Sequence, residues 1–255
     1  MGNNSEERPG QAMGLLDHLE DLRKCIIVSI IAIVVCSIIS FAFIEHIVDI
    51  ITKPLTAQEI TPVFTAVTEG IFTYFKIALI SGIILAFPVV IWQAWRFLVP
   101  ALYPHEKKYL CKLIPISIIL FVAGVVFAYF TIFPLAVYVL INLASEFEPM
   151  LTISKYLSFT LSLLIPFGLI FEFPLVIYFL TSIGAVTPQW LLRNRKYAIV
   201  ITFILAAILT PGPDPVSQLV MAAPMIVLYE AGILVAKIVA KRRDRKRKEL
   251  NSEEV

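Results

Sequence analysis

The residues with chemistry to explain in this chain are acidic side chains set in strongly apolar surroundings. Asp17, Glu20 and Asp21 sit together in LLDHLEDLRK, and Glu106 lies in PALYPHEKK. Carboxylates gathered at one surface accept bidentate hydrogen bonds from guanidinium groups, in a geometry that lysine does not reproduce. The same residues also fit a solvated polar face, with Glu106 pairing with Lys107 or Lys108. Glu172, in LIPFGLIFEFPLVIYFL, is harder to account for. A carboxyl group deep in hydrocarbon costs roughly 2.5 kcal/mol or more, so it must face a wet cavity, pair or be protonated. A third, polar set comprises Gln93, Thr210, Asp214 and Gln218. Asp214 is a favoured helix N-cap type, and the Gln218 amide, one turn further on, needs a partner if it meets lipid.

Catalytic constellations do not assemble. His18, His46 and His105 are scattered, and His105-Glu106 lacks the second histidine of a zinc-protease helix. There is no C-x-x-C, no phosphate-cradling glycine loop and no G-x-S-x-G. The expectation is a non-enzyme without metal or cofactor.

The elements that position these residues follow from composition. Of 255 residues, 59% are apolar and 16% charged, against about half and about a quarter in soluble domains. Burying so much apolar surface inside a soluble fold of this length is not feasible. Runs free of Asp, Glu, Lys and Arg extend over 20 residues from Cys25 to Ile44, 19 from Ile77 to Trp95 and 33 from Leu113 to Ser145. A further 16 run from Tyr156 to Phe171, and after Glu172 the apolar stretch continues to Leu192. Tyr197–Pro213 and Pro215–Tyr229 give 17 and 15 residues either side of TPGPDP. With about 20 residues needed per crossing, the count is six transmembrane helices, the last two a stunted hairpin accommodated by bilayer thinning. Pro134 is expected to end the third span, and Pro166 and Pro174 to bend the fourth near Glu172.

Charge sets the orientation. Eighteen of the 21 Lys and Arg fall in the N-terminus, the segments after spans two and four, and the C-terminal tail; Lys53, Lys76 and Lys155 are the rest. By the positive-inside rule both termini are cytoplasmic. Leu15, Leu19 and Leu22 recur at helical spacing and predict an amphipathic surface segment over 1–24, before a six-span membrane domain over 25–236 and a basic tail over 237–255. Seven of the eight residues Lys241–Lys248 are basic, which suits anionic lipid better than nucleic acid. Three cysteines argue against a disulfide framework. The N-terminus is too acidic for a cleavable signal peptide, so the first span is expected to stay as an anchor. No G-x-x-x-G lies within a span.

These motifs, taken in order, resemble the TatC family of twin-arginine protein translocases. The resemblance runs from about Leu15 to Ala236. It is carried by HLEDLR, FPVVIWQAWRFLVPALYPHEKK, FGLIFEFPLV, RNRKYAIV, LTPGPDPVSQ and AAPMIVLYE. It implies an all-α membrane protein with a concave, glove-like six-helix bundle in the plasma (inner) membrane. It further implies a non-enzymatic receptor for twin-arginine signal peptides of folded cargo, with TatA- and TatB-type single-span partners, a homo-oligomeric complex and export driven by the proton-motive force.

By the same resemblance, Glu106 contacts the arginine pair and Asp21 is the cooperating carboxylate. The family more often has Glu at that place, and Glu20 stands as the alternative. Phe97 and Pro100 match the frame that shapes the signal-peptide site. Glu172 matches an acidic residue on the concave face, and Gln93 joins it as an intramembrane polar position. Asp214 and Gln218, with Thr210 beside them, match positions where partner helices dock. The competing expectation, from Glu172 alone, is a secondary transporter using that carboxyl as a proton relay.

Overall fold

In the computed structural model, residues 15–56, 68–98, 107–143, 152–210 and 215–253 are described, and nearly all of them are helical. In chain order the helices are α1 (Leu15–Ala42), α2 (Ile44–Thr56), α3 (Glu69–Leu98), α4 (Lys107–Phe127), α5 (Phe133–Leu143), α6 (Ile153–Phe171), α7 (Phe173–Ser182), α8 (Pro188–Arg193), α9 (Arg195–Leu209) and α10 (Pro215–Glu253). A single π turn, Ala128–Ile132, joins α4 to α5.

Five stretches are long and apolar enough to cross a bilayer: Leu19–Ala42, Glu69–Phe97, Leu113–Val139, Ile153–Ser182 and Pro215–Arg243. Their outer faces stay apolar and open. Ile38 on α1 is 66% exposed, Phe72 on α3 71% and Ile208 on α9 73%. Faces of that kind, continuous around the molecule, belong against lipid rather than water. The chain is a multi-pass membrane protein.

Several elements depart from the expected pattern. α9 has 15 residues, roughly 22 Å of helix against about 30 Å of hydrocarbon, and is the stunted member of the final hairpin. Its partner is not short, because α10 carries helix straight through Glu230 and Lys237 to Glu253. A charge at the end of a span stops an apolar run but does not stop a helix. α1 likewise runs unbroken across residue 24, so the amphipathic segment and the first span are one rod over the described residues.

Pro134 does not end the third span. Phe133 N–H bonds back to Ala128 O, five residues earlier, so the widened turn takes up the missing proline N–H and the helix continues into α5. The fourth span does break where its prolines suggest. Glu172 stands between α6 and α7 as a one-residue turn, and its carbonyl accepts from Leu175 N and Val176 N, both at 2.9 Å.

Packing fixes which helix ends lie together. α1 runs antiparallel to α3: Phe41 stacks on Phe75 at 5.4 Å, Ser37 lies on Gly82, and the charge of Arg96 acts on Lys24. Trp95 near the end of α3 meets Phe179 of α7 edge-on at 5.0 Å, and Leu113 of α4 joins the same cluster. Arg243 of α10 reaches toward Thr181 O near the end of α7. One end of the bundle therefore gathers the beginnings of α1 and α4, the ends of α3 and α7, and the Arg243 region of α10. The opposite end is held by hydroxyls. Tyr129 and Tyr156 donate to the carbonyls of Ile50 and Ile51 on α2, and Lys76 Nζ donates to Ser158 Oγ at 3.0 Å.

Close contact rests on single glycines in place of a G-x-x-x-G face. A Cβ at Gly82 would come within 2.6 Å of Ser37 Cα, and one at Gly124 within 2.6 Å of Phe167 O. Backbone cannot yield as a side-chain tip can. Gly82→Ala should therefore push α1 away from α3 and lower stability by about 1–3 kcal/mol. Gly232→Ala, which meets side chains alone, the Phe173 ring at 3.1 Å and Ile177 at 3.5 Å, should cost less. Thermal unfolding in detergent compares the two, and equal midpoints would contradict this packing.

Candidate functional site

The site at the basic end is built from α1, the end of α3 and the start of α4. Glu20 and Asp21 lie in the first two turns of α1. Glu20 is exposed and pairs with Lys24 at 2.9 Å, an i,i+4 surface pair of little worth in water. Asp21 is half-buried and makes no hydrogen bond or ion pair with a described residue. Antiparallel packing sets this acidic turn beside the last turn of α3, where Phe97 is half-buried and Trp95 is buried against Phe179. Pro100 and Glu106, in the segment between α3 and α4, lie outside the described residues, as does Asp214.

Glu172 is buried, at 7% exposure. Ser117 Oγ on α4 donates to its Oε2 at 2.6 Å, while Oε1 has no hydrogen-bond partner among the described residues. Two features put the carboxyl there. The α6–α7 break offers a turn from which it reaches α4, and Phe87 and Phe121, stacked at 3.5 Å, wall the neighbouring space. Gln93 is buried on α3, yet no hydrogen bond joins it to Glu172 in the described residues.

At the opposite end, Gln218 Nε2 donates to Phe203 O at 2.8 Å, tying α10 to α9. Thr210, buried at the end of α9, donates back to Ala206 O at 3.1 Å. Both groups already have partners within the chain.

Sequence reasoning missed two contacts. Ser117 is one hydroxyl among many in apolar runs, and nothing in its neighbourhood marks it as a partner for Glu172. Glu230 pairs with Arg195 at 2.5 Å, and Tyr229 OH donates to Leu191 O at 2.8 Å beside it. Together they clamp the α8–α9 corner onto α10. The signal was available in part, since Arg193, Arg195 and Lys196 crowd a corner that needs an acid nearby.

Among the described residues no group of His, Cys, Asp or Glu is arranged to hold a metal. The family profile described as Sec-independent protein translocase protein (TatC) matches residues 17–224. The chain belongs to the TatC family. Its relatives include the Sec-independent protein translocase protein TatC of Carboxydothermus hydrogenoformans, 50% identical over 92% of this chain and 96% of that one. The TatC of Aquifex aeolicus is 40% identical over 91% and 98% of the two chains. A crystal structure described as the twin arginine translocase receptor TatC superposes with a TM-score of 0.81 at 40% identity, covering 87% of this chain and 99% of that one. TatC proteins are membrane components of a protein translocase and not enzymes, so this chain acts in Sec-independent protein translocation.

The Ser117–Glu172 contact makes a prediction independent of transport. Removing one partner of a buried hydrogen bond costs about 1–3 kcal/mol. Ser117→Ala should lower the unfolding midpoint in detergent, and should lower it far less in a Glu172→Leu background. Additive losses in that double-mutant cycle would show that the two groups are not coupled.

Proposed function

We propose that this chain is the receptor subunit of its translocase, with Glu106 and Asp21 forming an acidic clamp at the cytoplasmic face for the arginine pair of a signal peptide. The observation that carries the reading is the antiparallel packing of α1 on α3. It sets the acidic turn of α1 beside the helix end that leads into the Glu106 segment. Asp21 is the second carboxylate rather than Glu20, because Glu20 already faces Lys24. Phe97 and Pro100 shape the apolar border of the clamp.

Guanidinium groups spread their charge over a planar fork and match carboxylates bidentately, and this selects arginine over lysine. The apolar part of the leader then lies along the face near Glu172, with Gln93 nearer the basic end on α3. Both termini are cytoplasmic in this reading, from the concentration of Lys and Arg at one end of the bundle. With α9 as the sixth, short crossing, the bilayer thins beside the final hairpin. TatA- and TatB-type single-span helices dock near Thr210, Asp214 and Gln218, several copies of the chain assemble in the complex, and the proton-motive force drives export. A proton-relay transporter has less support. Among the described residues the hydrogen-bonded chain from Glu172 stops at Ser117, and the family translocates proteins.

The test is equilibrium binding of a twin-arginine leader peptide to the purified full chain. A hydrogen bond to a charged group is worth about 1.5–3 kcal/mol. Glu106→Ala combined with Asp21→Ala should therefore weaken binding by about a hundredfold, and Glu20→Ala by less than about threefold. Replacing both peptide arginines by lysine should weaken it comparably. Unchanged affinity in the double variant rejects the clamp.

A further inference from the structure

A second polar feature lies away from the leader clamp, on the far side of the basic end. Between α8 and α10 runs an open groove of about 630 Å³, walled by Pro188, Gln189 and Leu192 on one side and by Lys237, Ala240, Lys241 and Arg245 on the other. The three cations are spaced i, i+4 and i+8, so they share one face of α10 over roughly 12 Å of helix. None of them pairs with an acid among the described residues. Neighbouring cations are engaged elsewhere: Arg195 holds Glu230, and Arg243 turns toward Thr181 O across Gly184, where a Cβ would stand 2.5 Å from Arg243 Nη1.

We infer that this groove is a binding site for the phosphate headgroup of an anionic membrane lipid. Three observations select that occupant over a free anion or a soluble partner. The candidate crossing of α10 runs from Pro215 to Arg243, with its last uncharged residue before the cations at Ala236, so Lys237, Lys241 and Arg245 step through the depth at which a bilayer changes from hydrocarbon to headgroup. The opposite wall offers Pro188 and Leu192, which suit the glycerol and first methylenes of a lipid and have no use for a hydrated phosphate ion. On α8 and at the start of α9, Trp190 and Tyr197 are 56% and 58% exposed, as aromatic residues at a membrane interface are. Binding there would pin the α8–α9 corner and α10 at one level of the membrane. The inference rests on α10 crossing the bilayer and not on the leader-binding reading.

The probe is phosphatidylglycerol offered to the full-length protein in neutral detergent, with phosphatidylcholine as the zwitterionic comparison and retention read by native mass spectrometry. No signal peptide is present, so failure of the clamp would leave this result untouched. Lys237→Gln, Lys241→Gln and Arg245→Gln together should weaken phosphatidylglycerol retention on the order of a hundredfold, at roughly fivefold per cation near a membrane surface. The charge-matched triple Arg193→Gln, Lys196→Gln and Arg242→Gln, outside the groove, should change it by less than about fivefold. Unfolding midpoints of both triples report that each is folded. Millimolar glycerol phosphate or inorganic phosphate should not displace the lipid. Equal losses in the two triples, equal retention of the two lipids, or displacement by inorganic phosphate would each overturn the site.

Discussion

Hydrocarbon offers a polar group no hydrogen-bond partner, and every internal feature of this bundle answers to that constraint. Glu172 shows it most plainly. A carboxyl group within a membrane-length stretch must find its donor on another helix, and it finds Ser117. The turn that breaks α6 from α7 is what lets it reach α4, so helix geometry and charge satisfaction are one problem here. Smaller groups follow the same rule. Thr160, Thr202 and Thr210 bond back to carbonyls four residues earlier, and Gln218 crosses to α9.

With the exterior apolar, the charged groups other than Glu172 collect toward the ends of the helices. The basic end holds an acidic turn on α1, an ion pair between α9 and α10 and a line of cations beyond it. The opposite end is tied by Tyr129, Tyr156 and Lys76. This division has a functional meaning for a translocase component. Under the proposed function, a leader sequence is read at the surface by charge before any of it enters hydrocarbon, and the short α9 thins the boundary beside it.

Much of this was legible in the sequence, because apolar runs and the distribution of Lys and Arg respond to the bilayer directly. Four stretches of crossing length, the break at Glu172 and the shortness of α9 all follow from residue type and spacing. Other features depend on contacts between distant residues and left no local trace. Pro134 reads as a terminator, yet it is absorbed by a π turn whose Tyr129 is held by α2. The length of α10 was hidden because Glu230 ends the uncharged run, while its partner Arg195 sits 35 positions earlier. Ser117 had no signal of its own. For the clamp, the family resemblance supplied Glu106 and Pro100, which lie outside the described residues; the fold contributes the pairing of α1 with α3 and the contrast between Glu20 and Asp21.

The account stands or falls on whether acids at the cytoplasmic rim hold the guanidinium groups of an incoming leader. Photo-crosslinking from position 106 to a twin-arginine leader, in membrane vesicles with the cytoplasmic face outward, measures that contact directly. The expected adduct maps to the residues flanking the arginine pair and disappears when both arginines are lysine. An adduct that forms equally with the lysine leader, or a position 106 that is reached only from the opposite face of the membrane, would contradict it.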